Sequence, residues 1–461
     1  MSVPPASSRA PSSEAARFFR SGGIYLGANV ANAALAFLLV PILTRHLSPV
    51  DYGITATATV IVQILAVAIS LNGYGLVVRE QFTAPSAALA ALLSAAVLFP
   101  AVLAAVLGPL LGFGGPLLER LTEFPAGWAW CLGLLAFAQV LQSTTLGLIQ
   151  ARSEPFRYGA WQILASSLNL GLSILFVVGF GMDWRGRMLA LVVVAVGMSL
   201  LFLAELGGRL RLLRPRLDRA EIRRLAAFGL PLIPHFLGGW VMTMSPRLFL
   251  NHLASLTDTG LYSVAYNLAS PLMTLLGAAN QAYLPYLFGK LAKWETAERA
   301  AIPGTPSDTL RGAANADLEK IRFCRRLLLV CAALPLLAVA LWLGVRGILP
   351  WLVGPKFRAC APLVFWLALA IAFNGAYYVF GNFVLYSKKT TLLSWRADFL
   401  GGLFTLLLCP LGIHFWGATG AAAATAAAFA ISFAGCVTAA VQAHPMPWRK
   451  ALVGFAKTKA R

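Results

Sequence analysis

The sequence predicts an all-α integral membrane protein of about 12 transmembrane helices, arranged as two pseudo-symmetric six-helix lobes around a central cavity. Three observations predict it. The 461 residues are 59% hydrophobic and only 12% charged, where soluble domains are roughly half apolar and a quarter charged. Apolar runs of about 20 residues, long enough to cross a bilayer, recur along the whole chain. A capping box also occurs twice, as Ser48 and Asp51 in HLSPVDYG and as Ser255 and Asp258 in HLASLTDTG, with Gly53 and Gly260 at the same offset of 207 residues. In such a box the first side chain bonds the N3 amide and the second reaches back to the cap amide, so a helix begins there. Each half therefore opens with a helix, a capped corner and a second helix, as internally repeated membrane proteins do.

Residues 1–22, rich in Ser, Pro and Ala with Arg9, Arg17 and Arg20, read as a disordered cytoplasmic tail. The run that follows is a full span rather than the short core of a signal peptide. The N-terminal lobe, 23–206, holds spans at 23–46, 54–77, 87–112, 126–149, 158–180 and 188–206. The linker 207–226 contains RLRLLRPRLDRAEIRRL and is expected on the anionic leaflet, where each basic residue contributes about 1 kcal/mol. The C-terminal lobe, 227–441, holds spans at 227–253, 257–284, 324–345, 360–385, 390–411 and 415–441, and 442–461 is a second cytoplasmic tail. Within that lobe the long loop 285–323, with IPGTPSDT, reads as turn-rich and mobile.

Assigning alternate loops to opposite sides collects most of the 37 Lys and Arg on one side. The positive-inside rule makes that side the cytoplasm and puts both termini there. The net charge of +20 is thus a topology signal, and no nucleic-acid partner is implied. The six cysteines are scattered, mostly within apolar runs and without metal-ligand spacing, and read as packing residues.

No enzyme constellation is present: there is no phosphate-binding G-x-x-x-x-G-K-[ST], no H-E-x-x-H and no G-x-S-x-G. The spans instead carry polar stripes at helical spacing. Asn29 and Asn32 share a face of the first helix, which Pro41 should bend before Arg45. Thr243, Arg247 and Asn251 lie four residues apart in the seventh. Tyr262 and Tyr266 head a stripe in the eighth, and Asn374, Tyr378 and Asn382 form one in the tenth. A single stripe reads as interhelical hydrogen bonding; the set reads as the lining of a hydrated cavity. Arg247 lies eight residues before its capping box and Arg45 three before its own, so Arg247 sits ~7 Å deeper at about 1.5 Å per residue. A cation there costs about 3 kcal/mol on insertion scales and faces a bundle interior or water. Arg396 and Asp398 read as a structural ion pair. Other deep carboxylates are nearly absent, which favours an anionic cargo such as a phosphate over a cationic drug.

The runs FLLVPILTRHLSPVDYG (37–53), NGYGLVVRE (72–80), GLIQARSEPFRYGAWQI (147–163), FGLPLIP (228–234), DTGLYSVAYNLASP (258–271), YSKKTTLLS (386–394) and WGATGAAAATAAAF (416–429) resemble Wzx-type oligosaccharide flippases, of the polysaccharide transporter family in the MATE-like MOP superfamily. The resemblance covers most of residues 20–442. It implies two six-helix lobes around a basic lumen and a flippase, not an enzyme. Such a protein passes undecaprenyl-pyrophosphate-linked oligosaccharide from the inner to the outer leaflet of the bacterial inner membrane by alternating access. It makes Arg45 and Arg247 lumen cations, with the prolines at 41, 231 and 234 marking helix bends. The implied partners are the lipid-linked oligosaccharide, bilayer lipids and the polymerase and chain-length proteins of the same pathway, with no cofactor. Asn29 and Asn32 depart from the pattern, standing where related flippases carry further basic residues. The rival readings are a multidrug or cation-coupled antiporter of the same superfamily and a membrane-embedded polymerase or ligase.

Overall fold

The computed structural model describes residues 11–210, 217–300, 307–387, 389 and 394–452. All regular structure among them is helical: α1 (Pro11–His46), α2 (Pro49–Ser70), α3 (Gly73–Glu80), α4 (Ser86–Phe113), α5 (Gly115–Thr122), α6 (Cys131–Ala151), α7 (Pro155–Ile174), α8 (Trp184–Ala204), α9 (Arg219–Gly229), α10 (Ile233–Leu253), α11 (Leu256–Ala300), α12 (Ser307–Leu352), α13 (Ala361–Tyr386) and α14 (Leu400–Ala443), with short 3-10 and π turns. Nine stretches among the described residues are long and apolar enough to cross a membrane, and ten if the broken pair Arg219–Leu232 and Phe236–Leu253 is one span. Two features lie behind the difference from the expected twelve. Residues 395–443 count once although α14 turns back within them at Gly417, and Tyr, Asn and Ser lower the hydropathy of α11.

The chain divides into two compact units, Met1–His46 with Ile61–Ile233, and Leu47–Val60 with Pro234–Arg461. The division differs from the expected lobes at the start of α2, which belongs to the second unit. The first capping box forms in full, and in the second Asp258 Oδ2 accepts from the Ser255 hydroxyl at 2.6 Å in place of the cap amide. The Ser48 amide donates to Asp51 Oδ2 at 2.8 Å and the Asp51 amide to Ser48 Oγ at 3.2 Å, while the Asp258 amide donates to Ser255 Oγ at 3.1 Å. The helices they start touch backbone to backbone. A Cβ on Gly53 would stand 2.2 Å from the Leu256 carbonyl oxygen, and one on Gly260 would stand 2.0 Å from that of Pro49. Pro49 and Leu256 share the 207-residue offset, so the contact is self-complementary, as between two-fold related surfaces.

In the first unit, Leu76, Leu92, Leu93, Leu148, Phe202 and Leu225 form the core. The expected second span breaks at Leu71 and Asn72, both in the left-handed region at φ 45° and 51°. This conformation is unusual for any residue with a Cβ, and more so for Leu than for Asn. The break is covered by α9, whose Gly229 lies so close to the Leu71 carbonyl oxygen that a Cβ would sit 1.8 Å from it. The segment expected as a leaflet-bound linker is therefore, over 219–229, a docked amphipathic helix capped by Asp218. Leu225 is buried and Arg224 pairs with Glu80 at 2.9 Å; residues 211–216 lie outside the described residues. The expected N-terminal tail is likewise helical from Pro11, a residue suited to a first helical turn. Pro41, where a bend is expected, lies inside α1, which runs on to His46.

In the second unit, α11 and α12 extend well into the expected loop 285–323, with residues 301–306 outside the described residues. The extensions are amphipathic: Leu287, Leu291 and Trp294 pack with Phe323 and Cys324, and Glu319 pairs with Lys290 and accepts from Trp294 Nε1. The expected C-terminal tail also docks, through Trp448 against Phe380 and Phe383 with ring centroids at 5.1 and 5.6 Å; residues 453–461 lie outside the described residues. At Gly417 (φ 57°, ψ −138°) α14 folds back, a backbone region that essentially only glycine adopts. Gly412 then meets Gly420, and Gly435 meets the Arg396 carbonyl, giving an antiparallel pair held by small residues.

Replacing Gly53 or Gly260 with Ala should lower stability by about 1–3 kcal/mol, since the methyl group must displace a carbonyl. Gly277→Ala, where nothing lies within 4 Å, is the control. Thermal unfolding of the detergent-solubilised protein checks this, and equal melting temperatures for all three variants would refute the tight contact.

Candidate functional site

The second unit gathers its site on α10, α11, α13 and the turn before α14. The pattern that places Arg247 is the i, i+4 stripe on α10, facing the Tyr stripe of α11. Arg247 is 6% exposed. Its Nε donates to Ser263 Oγ at 3.1 Å and its Nη1 to the Thr243 carbonyl at 2.8 Å and, more weakly, to Met244 Sδ at 3.4 Å. The guanidinium carbon lies 5.4 Å from the Tyr262 ring centroid and 4.8 Å from that of Tyr266. Cation–π contacts of this kind are worth up to about 2 kcal/mol when desolvated. Among the described residues Arg247 has no ion-pair partner, and Nη2 has no acceptor. The fork is thus held at one edge and has donors left at the other.

Beside it lies a cavity of about 270 Å³, whose polar lining includes Thr243, Tyr266, Asn374, Tyr377, Asp398 and Thr425. Asp398 is buried and accepts from the Tyr377 hydroxyl at 3.3 Å. Arg396 is not its ion-pair partner, which corrects the sequence expectation: the two residues are near neighbours on a π turn, and Asp398 looks into the cavity. Spacing marks neither Tyr377 nor Asp398 as a site residue, because Tyr377 lies off its helix's polar stripe and Asp398 reads as half of a local pair. Tyr262, fully buried behind Arg247, shares a hydrogen bond with Thr425 Oγ1 at 3.0 Å. Tyr378 accepts from Asn374 Nδ2 at 3.3 Å.

Other stripe residues hold helices together. Asn251, 2% exposed, donates to Thr57 Oγ1 at 2.9 Å and accepts from Thr259 Oγ1 at 2.6 Å, tying α2, α10 and α11. Asn382 donates to Asn280 Oδ1 at 2.8 Å. In the first unit the α1 stripe faces α7: Asn29 accepts from the Tyr158 hydroxyl at 3.4 Å, and Asn32 accepts from Ser166. Arg45 is exposed in the last turn of α1. No group of three or more His, Cys, Asp or Glu among the described residues is arranged to hold a metal ion.

Comparison with known proteins adds a family. A model of the family described as polysaccharide biosynthesis protein matches residues 18–289. Lsg locus protein 1 of Haemophilus influenzae is 20% identical over 381 residues, covering 82% of this chain and 87% of that protein. Among solved structures, the lipid II flippase MurJ in an inward closed conformation superposes with a TM-score of 0.62 at 10% identity, over 95% of this chain and 88% of that one. An inward-facing multidrug resistance MATE transporter of the MOP superfamily gives 0.57 at 14% identity, over 95% and 96%. At these identities the structural matches establish the shared fold.

Asn251→Ala should cost about 1–3 kcal/mol, because it removes two buried hydrogen bonds, to Thr57 Oγ1 and from Thr259 Oγ1, that link three helices. A melting-temperature drop in the purified protein would show this, and an unchanged melting curve would contradict the role.

Proposed function

The chain belongs to the polysaccharide biosynthesis protein family, multi-pass membrane transporters rather than enzymes, and from that premise we propose that it flips undecaprenyl-pyrophosphate-linked oligosaccharide across the bacterial inner membrane. The direction is from the inner to the outer leaflet, by alternating access, for cell-surface polysaccharide synthesis, with both termini cytoplasmic. Arg247 carries the reading. It is a buried guanidinium within a spanning helix, fixed by Ser263, the Thr243 carbonyl and two Tyr rings, with Nη2 donors unused by any described residue. A planar fork of this kind suits a phosphate, whose oxygens take two parallel N–H bonds. Thr243, Tyr266 and Asn374 supply hydroxyl, ring and amide groups beside it, the chemistry that sugars use. Arg45 is the second cation of the pathway, with Asn29 and Asn32 on the same helix stabilising its packing.

The buried carboxylate of Asp398 favours a second reading, a cation-exporting antiporter, since an organic cation needs an anionic partner. Transport of a lipophilic cation by the purified protein, lost in Asp398→Asn and kept in Arg247→Ala, would select that alternative.

The deciding experiment measures movement of labelled undecaprenyl-pyrophosphate oligosaccharide in proteoliposomes. Wild type should move it; Arg247→Ala should slow it at least tenfold, the loss of about 1.4 kcal/mol or more, and Arg247→Lys should slow it less. No movement by wild type would overturn the flippase reading, and an Arg247→Ala variant of full activity would overturn the role of Arg247.

A further inference from the structure

The side chains that a membrane helix exposes report what surrounds it. In the first unit α4 and α8, which pack on α6, expose apolar residues: Val102, Val106 and Leu110 on α4, and Val193, Val196 and Leu200 on α8. These are lipid-facing surfaces. Among the described residues of α6 itself, the exposed ones are Gln139, Ser143 and Gln150. With Gly147 between them they form one stripe, at spacings of four, four and three residues, about 16 Å long at 1.5 Å per residue. Gln139 is the ninth of the 21 residues of α6, so the stripe starts near mid-span. At that depth an amide or hydroxyl facing hydrocarbon loses the hydrogen bonds that water supplies. The stripe therefore faces water.

Tyrosines close one end of it. Tyr74, 40% exposed on α3, lies so tightly against Gly147 that a Cβ there would overlap its ring. The Tyr25 hydroxyl of α1 donates to the Gln150 carbonyl at 3.4 Å, and the Tyr25 and Tyr158 rings meet edge to face with centroids at 5.3 Å. Asn29 positions this pair by accepting from the Tyr158 hydroxyl at 3.4 Å. No charged residue occurs from Cys131 to Ala151. Just beyond, Arg152 donates to Gln81 Oε1 at 3.4 Å, and Arg157 pairs with Glu154 and Glu205. The stripe and its tyrosines thus offer amides, hydroxyls and aromatic rings without charge.

We propose that this face of the first unit is a binding surface for the uncharged saccharide of the cargo. It rests on the flippase reading and makes no use of Arg247. An amide both donates and accepts, so Gln139 and Gln150 pair with sugar hydroxyls in either sense. The Tyr rings present apolar faces to the C–H side of a pyranose and keep a polar tip. In the proposed topology α6 ends at the cytoplasm, so the tyrosines stand where the saccharide enters and Gln139 stands where it has reached mid-membrane. With no charge to screen, the sugar's share of the affinity does not depend on ionic strength.

The test is equilibrium binding to the full chain in nanodiscs. The probes are undecaprenyl pyrophosphate and the same carrier bearing three N-acetylglucosamine residues. Wild type should bind the glycan-bearing carrier about tenfold tighter than the bare one, at low and high salt alike. Gln139→Leu and Tyr74→Leu should each reduce that ratio to below about threefold and leave the bare carrier's affinity unchanged. Arg247→Ala should weaken both probes by similar factors, which keeps the two sites separable. A ratio retained in both α6-face variants, or an equal loss of both probes in them, would overturn the site. Wild type that binds both carriers with one affinity would overturn it and leave the flippase reading in place; wild type that binds neither would overturn both. A second measurement needs no ligand. Gln139→Cys should react with a membrane-impermeant maleimide well above the wild-type background and Val106→Cys should not, so equal reaction of the two would also overturn the proposal.

Discussion

The structure of the second unit depends on the contact between two helix starts. Gly53 lies against the carbonyl of Leu256 and Gly260 against that of Pro49, distances that leave no space for a Cβ. Each glycine sits one turn into a helix begun by its own capping box, so a capped corner fixes where the glycine falls. Once the backbones touch, Thr57, Asn251 and Thr259 come within hydrogen-bonding reach and link α2, α10 and α11. Thr259 also donates to the Arg247 carbonyl at 3.3 Å. The site residue is therefore built onto the same bracket that holds the helices in register.

That bracket explains how a guanidinium persists in an apolar helix. Insertion costs about 3 kcal/mol on translocon scales. Hydrogen bonds to a charged group return about 1.5–3 kcal/mol each, and Arg247 makes two good ones besides stacking on Tyr262 and Tyr266. The cost is thus offset locally, without a carboxylate that would compete with an anionic ligand. Fixing one edge of the fork also removes side-chain entropy before any ligand arrives, which is what makes the remaining donors effective.

Much of this is legible in the sequence because it is written at short range. Capping boxes are four residues long, and the stripes Thr243–Arg247–Asn251 and Tyr262–Tyr266 follow from helical geometry alone. What a stripe faces is a long-range fact. Thr243, Tyr266 and Asn374 line a cavity, whereas Asn251 and Asn382 bond neighbouring helices, and spacing treats all five alike. Asp398 misleads for the same reason: its partner Tyr377 lies on another helix, while sequence proximity favours Arg396. The break at Leu71–Asn72 is announced only by the Asn72-Gly73 dipeptide, a turn signal set within an otherwise apolar run, and the docking of α9 that supports it is again tertiary. Length is misread where helix formers outrun the membrane, as in α11 and α12, because low hydropathy marks the end of a span and does not mark the end of a helix.

The repeat builds the scaffold, and departures from it build the site. With α1 and α10 aligned by the 207-residue offset, Arg247 corresponds to Val40, Arg45 to His252, and Gly239 to Asn32. Asn32 fills its position with a hydrogen bond from Ser166 on α7, closing the gap between those helices. Its counterpart Gly239 has no side chain and lines the cavity instead. One substitution removes volume where the ligand would lie, and the other adds a cation two turns away on the same face. A symmetric chain with Asn at 239 and Val at 247 would keep the bracket of Gly53 and Gly260 and lose both the space and the charge. On the proposed reading of Arg247, the difference between the halves at these positions comes down to two residues on one helix, within a framework that the repeat leaves unchanged.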